Sequence, residues 1–135
     1  MADLAITAAN VVARNGARRK DRTAGVTVTA GQVVYHDATD GKSKLADCDG
    51  AAALREPDGI ALHGAANDQP LAVHVEGPIT IGATLVPGTT YYLSPTAGGI
   101  CPIADLSAGD YPTIMGIAIS TSVLDVKIHR SGVAI

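Results

Sequence analysis

Thr29-Ala30-Gly31-Gln32-Val33-Val34-Tyr35, followed by Asp40-Gly41-Lys42 and closed by Gly59-Ile60-Ala61, decides the fold because its plan returns 57 residues later. At that spacing Ala30-Gly31 aligns with Pro87-Gly88, Tyr35 with Tyr92, Thr39 with Thr96, Gly41 with Gly98, and Gly59-Ile60-Ala61 with Gly116-Ile117-Ala118, with no gap. Each copy reads as a turn, a Tyr-ended strand, a Gly-containing reversal, a second strand and an apolar strand. A fourth strand is echoed as well, Leu71-Ala72-Val73-His74-Val75 by Leu124-Asp125-Val126-Lys127-Ile128, at a spacing of 53. Two units are too few for a solenoid. The expectation is one domain of two similar halves, spanning 29–75 and 86–128.

Outside the repeat the strand signals continue. Val26-Thr27-Val28-Thr29 alternates branched apolar and polar residues, which suits a half-buried strand. Asp40-Gly41 favours the left-handed backbone of a tight hairpin, so Gly41 and Gly98 are expected at positive φ. About ten short strands separated by Gly, Pro and Asp turns predict an all-β barrel or sandwich. Residues 26–135 form this β domain, and residues 1–25 are read as an apolar segment followed by a basic arm or loop.

Composition narrows the core and the partners. The 135 residues include 47% hydrophobic side chains but neither Phe nor Trp, so Val, Ile, Leu and Ala must build the interior. Such a core buries less area per side chain than one with aromatic rings, and self-association is expected, as a trimer ahead of a dimer. The net charge is −3, distributed unevenly. From Arg14 to Arg22, five cations (Arg14, Arg18, Arg19, Lys20, Arg22) stand against Asp21 alone, a local +4 that leaves −7 for the remainder. That asymmetry points the segment at an acidic partner, with Leu4, Ile6, Val11 and Val12 as apolar contacts beside it.

The residue patterns argue against several chemistries. His36, His63, His74 and His129 fall on predicted strands, and none accompanies a nucleophile-elbow motif, so no catalytic residue is assigned. Asp37, Asp40, Asp47 and Asp49 crowd one region but lack the ligand spacing and closing Glu of a calcium loop. Cys and His are too scattered for zinc, and neither metal nor cofactor is expected. One short basic run without neighbouring aromatics is a poor nucleic-acid surface. Cys48 and Cys101 hold non-equivalent places in the repeat and read as reduced and partly buried. The start of the chain has no signal-peptide pattern and no run long enough to span a bilayer, so production in a cytoplasm without membrane association is expected.

Thr29-Ala30-Gly31-Gln32-Val33-Val34-Tyr35, Asp40-Gly41-Lys42 with Leu45-Ala46-Asp47, Gly59-Ile60-Ala61-Leu62, the run Gly77-Pro78-Ile79-Thr80-Ile81-Gly82-Ala83-Thr84-Leu85 and the closing Ser131-Gly132-Val133-Ala134 resemble small bacteriophage capsid decoration, or cement, proteins. The resemblance covers most of the chain from about residue 26. It implies a non-enzymatic, many-copy protein on the outer surface of the virion head that clamps major capsid (coat) protein subunits. The alternative is a binding module of a phage fibre or spike, with a carbohydrate or protein ligand. The basic segment lies outside the resembling pattern.

Overall fold

Ten strands form one antiparallel, curled sheet in the computed structural model, which describes residues 3–135; Met1 and Ala2, at the head of the expected N-terminal segment, lie outside it. In chain order they are β1 (Val12–Ala13), β2 (Arg18–Thr23), β3 (Val33–Asp37), β4 (Lys42–Leu45), β5 (Gly59–Ala61), β6 (Pro70–Thr80), β7 (Thr90–Leu93), β8 (Ile100–Pro102), β9 (Thr113–Ala118) and β10 (Val123–Arg130). Among the described residues the only helical elements are single 3-10 turns at Ala8–Asn10, Ala52–Arg55 and Ile103–Asp105. The all-β architecture is the one the repeat predicted.

The strand order β4-β3-β5-β6-β10-β9-β7-β8 reads the same from either end once β3–β6 are matched with β7–β10. Register confirms the equivalence pair by pair. Val34 opposes Gly59 as Tyr91 opposes Gly116, and Tyr35 opposes Lys44 as Tyr92 opposes Cys101. Gly41 and Gly98 adopt φ of 72° and 77°, a backbone that a Cβ disfavours. The fourth strand departs from the expected spacing. Ala61 pairs with Val73 and Ala118 with Leu124, an offset of 51, so the second copy is six residues shorter than the first. Side chains in a strand alternate with period two, and a two-residue slip keeps every side chain on its face. The sequence pattern therefore matched equally well at 53.

Two apolar clusters result. The larger lies between the halves and joins Val33, Tyr35 and Ile60 of the first to Tyr91, Leu93, Met115 and Leu124 of the second. The smaller, around Val28, Val34, Ala61, Leu71 and Val73, covers the other face of the first half alone. Strand β6 serves both clusters. Its odd-numbered Leu71 and Val73 belong to the smaller, whereas Ile79 belongs to the larger. Between them lie Gly77 at φ 95° and a register shift opposite Arg18 and Arg19. A Cβ on Gly77 would meet the Gly16 carbonyl oxygen at 2.7 Å, so this kink needs glycine.

The basic segment is not the free arm expected from its lack of periodicity. Residues 18–23 form β2, paired with β6 from Arg18 opposite Glu76 to Thr23 opposite Pro70. Backbone hydrogen bonding to an available edge does not require apolar side chains, and β6 supplies that edge. Ala24 beyond it is fully buried, so the basic segment is built into the fold.

Candidate functional site

The residues expected to contact a partner divide into those facing inward and those at the surface. Leu4 and Ile6 pack against the larger cluster, and the Leu4 amide donates to the Ile100 carbonyl at 2.8 Å. Val11 is 8% exposed and is a core residue rather than a contact. Val12, 54% exposed, is the one member of the apolar set that faces solvent fully. Removing residues 1–22 would therefore strip β1 and most of β2 from the sheet and Val11 from the core.

Among the cations, Arg22 is anchored. Its guanidinium donates twice to Asp58, at 2.9 and 3.3 Å, and Lys20 approaches the same carboxylate at 3.6 Å. Arg18 reaches Glu76 at 3.5 Å across the β2–β6 pairing. Arg14 donates to the Thr80 hydroxyl at 3.4 Å, and Arg19 has no ion-pair partner among the described residues. The exposed Arg18–Glu76 pair contributes about 0–1 kcal/mol. Arg14 and Arg19, without an ion pair among the described residues, stay available to a partner.

Register places these side chains on a larger face. On β10, Leu124 and Val126 point into the core and Asp125 and Lys127 point out. Three cross-strand rows follow from the pairing. Val12, Thr80, Val123 and Ile119 form an apolar one; Pro78, Asp125, Ile117 and Thr90 a mixed one; Arg18, Glu76 and Lys127 a charged one. Beside the apolar row lies an open trough of about 730 Å³ whose lining, from Ala5 and Thr7 to Thr121 and Ser122, holds no charged side chain. Charge and apolar surface thus occupy opposite ends of one sheet face. Only Val12 and Arg18 of this face came from the sequence reading. Ile117, Ile119 and Lys127 were legible as residues, but their exposure depends on which side of β9 and β10 meets the core.

Other groups settle into structural roles. His63 Nε2 accepts from the Ala72 amide at 3.0 Å while its Nδ1 lies 2.9 Å from the Gly64 carbonyl, so the proton sits on Nδ1. His74 is fully buried, its Nε2 is 2.7 Å from the Gly77 carbonyl, and burial lowers its pKa against that bond. Lys44 bridges Asp37 at 2.7 Å and Asp40 at 3.1 Å, which holds both carboxyls below and the ammonium above their ordinary ranges. These aspartates stabilise a hairpin, as their turn-forming pattern implied.

Sequence reading missed one convergence. Asp3, Cys101 and Asp105 bring ligand-capable atoms within 4.8 Å of one another. Asp3 is engaged by the Ser94 hydroxyl at 2.7 Å, and burial, with help from Asp3 and Asp105, pushes the Cys101 thiol up to about 12. The Asp3–Ser94 bond and the Leu4 amide on the Ile100 carbonyl fasten the N-terminal segment beside β8. Cys48 is likewise buried, free and raised to about 12, chiefly by desolvation.

No helix among the described residues is long and apolar enough to cross a membrane. No protein-family model matches the chain, and no curated protein matches it.

Proposed function

We propose that this chain is a non-enzymatic structural protein that decorates the outside of a bacteriophage head, binding the major capsid protein and copies of itself. The observation that supports this reading is the graded outer face, which carries Arg18 and Lys127 at one end and Val12 and Ile119 at the other. A face of mixed character suits docking. Its charges steer encounter with an acidic coat surface, and its apolar row holds the complex once formed. Repetition over a shell turns weak contacts into strong attachment by avidity. The uncharged trough suits contact between copies, since two chains of like net charge meet there without repulsion; a trimer is the expected state, ahead of a dimer.

Co-sedimentation with heads of the phage that encodes the chain, at low and high salt, tests the reading. Wild-type protein should pellet with heads. Neutralising Arg18, Arg19 and Lys20 together should slow attachment several-fold at low salt and much less at high salt, because exposed charges are screened within about 8 Å at physiological ionic strength. Protein that stays in the supernatant at every salt concentration would overturn the proposal.

A further inference from the structure

A second recess lies where the two halves meet. It is a groove of about 510 Å³ with β2 and the residues before β5 on one side and the end of β10 on the other. Pro57, Val75 and Ile128 supply its apolar lining. Arg18 and Lys20 enter from the first-half wall, Lys127 and Arg130 from the second.

The ionic accounting of this groove leaves positive charge to spare. Asp58 is satisfied by Arg22, which holds both of its oxygens, so Lys20 at 3.6 Å is a secondary neighbour. Glu56 takes Arg130 at 3.2 Å, and Glu76 takes Arg18 at 3.5 Å. Lys127 has no ion-pair partner among the described residues, and its cross-strand neighbour is the already engaged Glu76. On opposite sides of β6, Lys127 therefore has no carboxylate and Lys20 only shares the Asp58 carboxylate that Arg22 already holds, beside the apolar Val75 and Ile128.

We infer that this groove binds an extended acidic polypeptide segment of a partner protein, with carboxylates on Lys20 and Lys127 and an apolar side chain against Val75 and Ile128. A polypeptide fits better than a nucleic acid. Glu56, Asp58 and Glu76 intersperse negative charge that would oppose a phosphate at every nucleotide, and the one ring lining the groove, the His36 imidazole, offers no run of platforms for successive bases. A peptide can space its carboxylates to meet the two lysines and pass neutral residues over the acids. The inference rests on the decoration reading only for which protein supplies the segment.

The test uses the full chain, isotope-labelled, titrated with a synthetic nonapeptide of alternating glutamate and valine, and separately with its lysine–valine counterpart, a single-stranded oligonucleotide and inorganic phosphate. The acidic peptide should shift the amide signals of Val75, Glu76, Lys127 and Ile128, and the other probes should not. The K20Q/K127Q double variant, exposed at both positions and so expected to keep its fold, should bind the peptide at least ten-fold more weakly while its remaining spectrum is unchanged. Absence of shifts at millimolar peptide, equal affinity of the double variant, or stronger binding of the oligonucleotide at the same residues would each overturn the assignment. Failure is separable from failure of the decoration reading. Peptide binding without attachment to heads leaves the groove standing, and attachment that survives K20Q/K127Q removes the groove from it.

Discussion

Ile60 and Ile117 hold the same place in the two halves, 57 residues apart and one residue after an equivalent glycine, yet one is fully buried and the other 48% exposed. Around Ile60 the first half is covered on both faces: the larger cluster takes one, and Val28, Ala24 and Ala65 seal the other. Around Ile117 the outer face is bare. The difference lies in which face each half turns to the larger cluster: Ile60 packs into it and Ala61 into the smaller one, whereas in the second half Ala118 packs into it and Ile117 points outward. The first half keeps a longer loop between its third and fourth strands, and Ala65 in that loop bridges to Val28. The second half is six residues shorter there, and among the described residues no second cluster covers its outer face. A repeated backbone plan therefore sets strand pairing but leaves open which faces meet water.

The largest test of that contrast is truncation at the paired positions. Ile60→Ala should cost about 2–5 kcal/mol, the usual range for emptying a core site, whereas Ile117→Ala should cost well under about 1 kcal/mol. Chemical denaturation of both variants checks this, and equal losses would break the distinction. Next come the glycines beside them. A Cβ on Gly59 would run into the His74 carbonyl oxygen, and one on Gly116 into the Asp125 carbonyl oxygen. Gly59→Ala and Gly116→Ala should each destabilise by about 1–3 kcal/mol through overpacking against backbone, and thermal melts should show the two losses to be similar. A tolerated Gly116→Ala would mean that the halves do not share this close strand approach.

Smaller effects follow at the reversals. Gly41→Val should cost about 1 kcal/mol or somewhat more from strain at positive φ, since nothing lies within 4 Å of the added Cβ. Gly98→Val should cost more, because its Cβ would also press on Leu45 at 3.1 Å. Differential scanning calorimetry would rank the pair, and the reverse order would count against the stated packing.

The last effect separates the halves by pH. His74 is buried where the second half has exposed Asp125. Its folded-state pKa is lowered, so below the ordinary histidine value of about 6.5 the unfolded chain takes up a proton that the folded chain resists. Stability should therefore fall as pH drops from neutrality through that value, and a His74→Gln variant should lose this slope. Denaturation midpoints from pH 7.5 to 5 decide it, provided the carboxylate contribution is read from the variant as baseline.

The repeat of turn, tyrosine, glycine and Gly-Ile-Ala determined the all-β class, the two halves and the positive-φ reversals, because each depends on local backbone preference and period-two patterning, which neighbouring residues encode. Composition likewise determined a core without Phe or Trp. The tertiary structure alone decided three further things. It turned Arg18–Thr23 into a strand, since an edge of β6 offered hydrogen bonds that make no demand on side-chain polarity. It spent Leu4, Ile6 and Val11 inside the fold while leaving Val12 outside. And it set Lys20 and Lys127, 107 residues apart in the chain, on opposite walls of one groove. Such placements depend on long-range pairing, on a glycine kink in β6 and on loop length, none of which leaves a period in the sequence to be read.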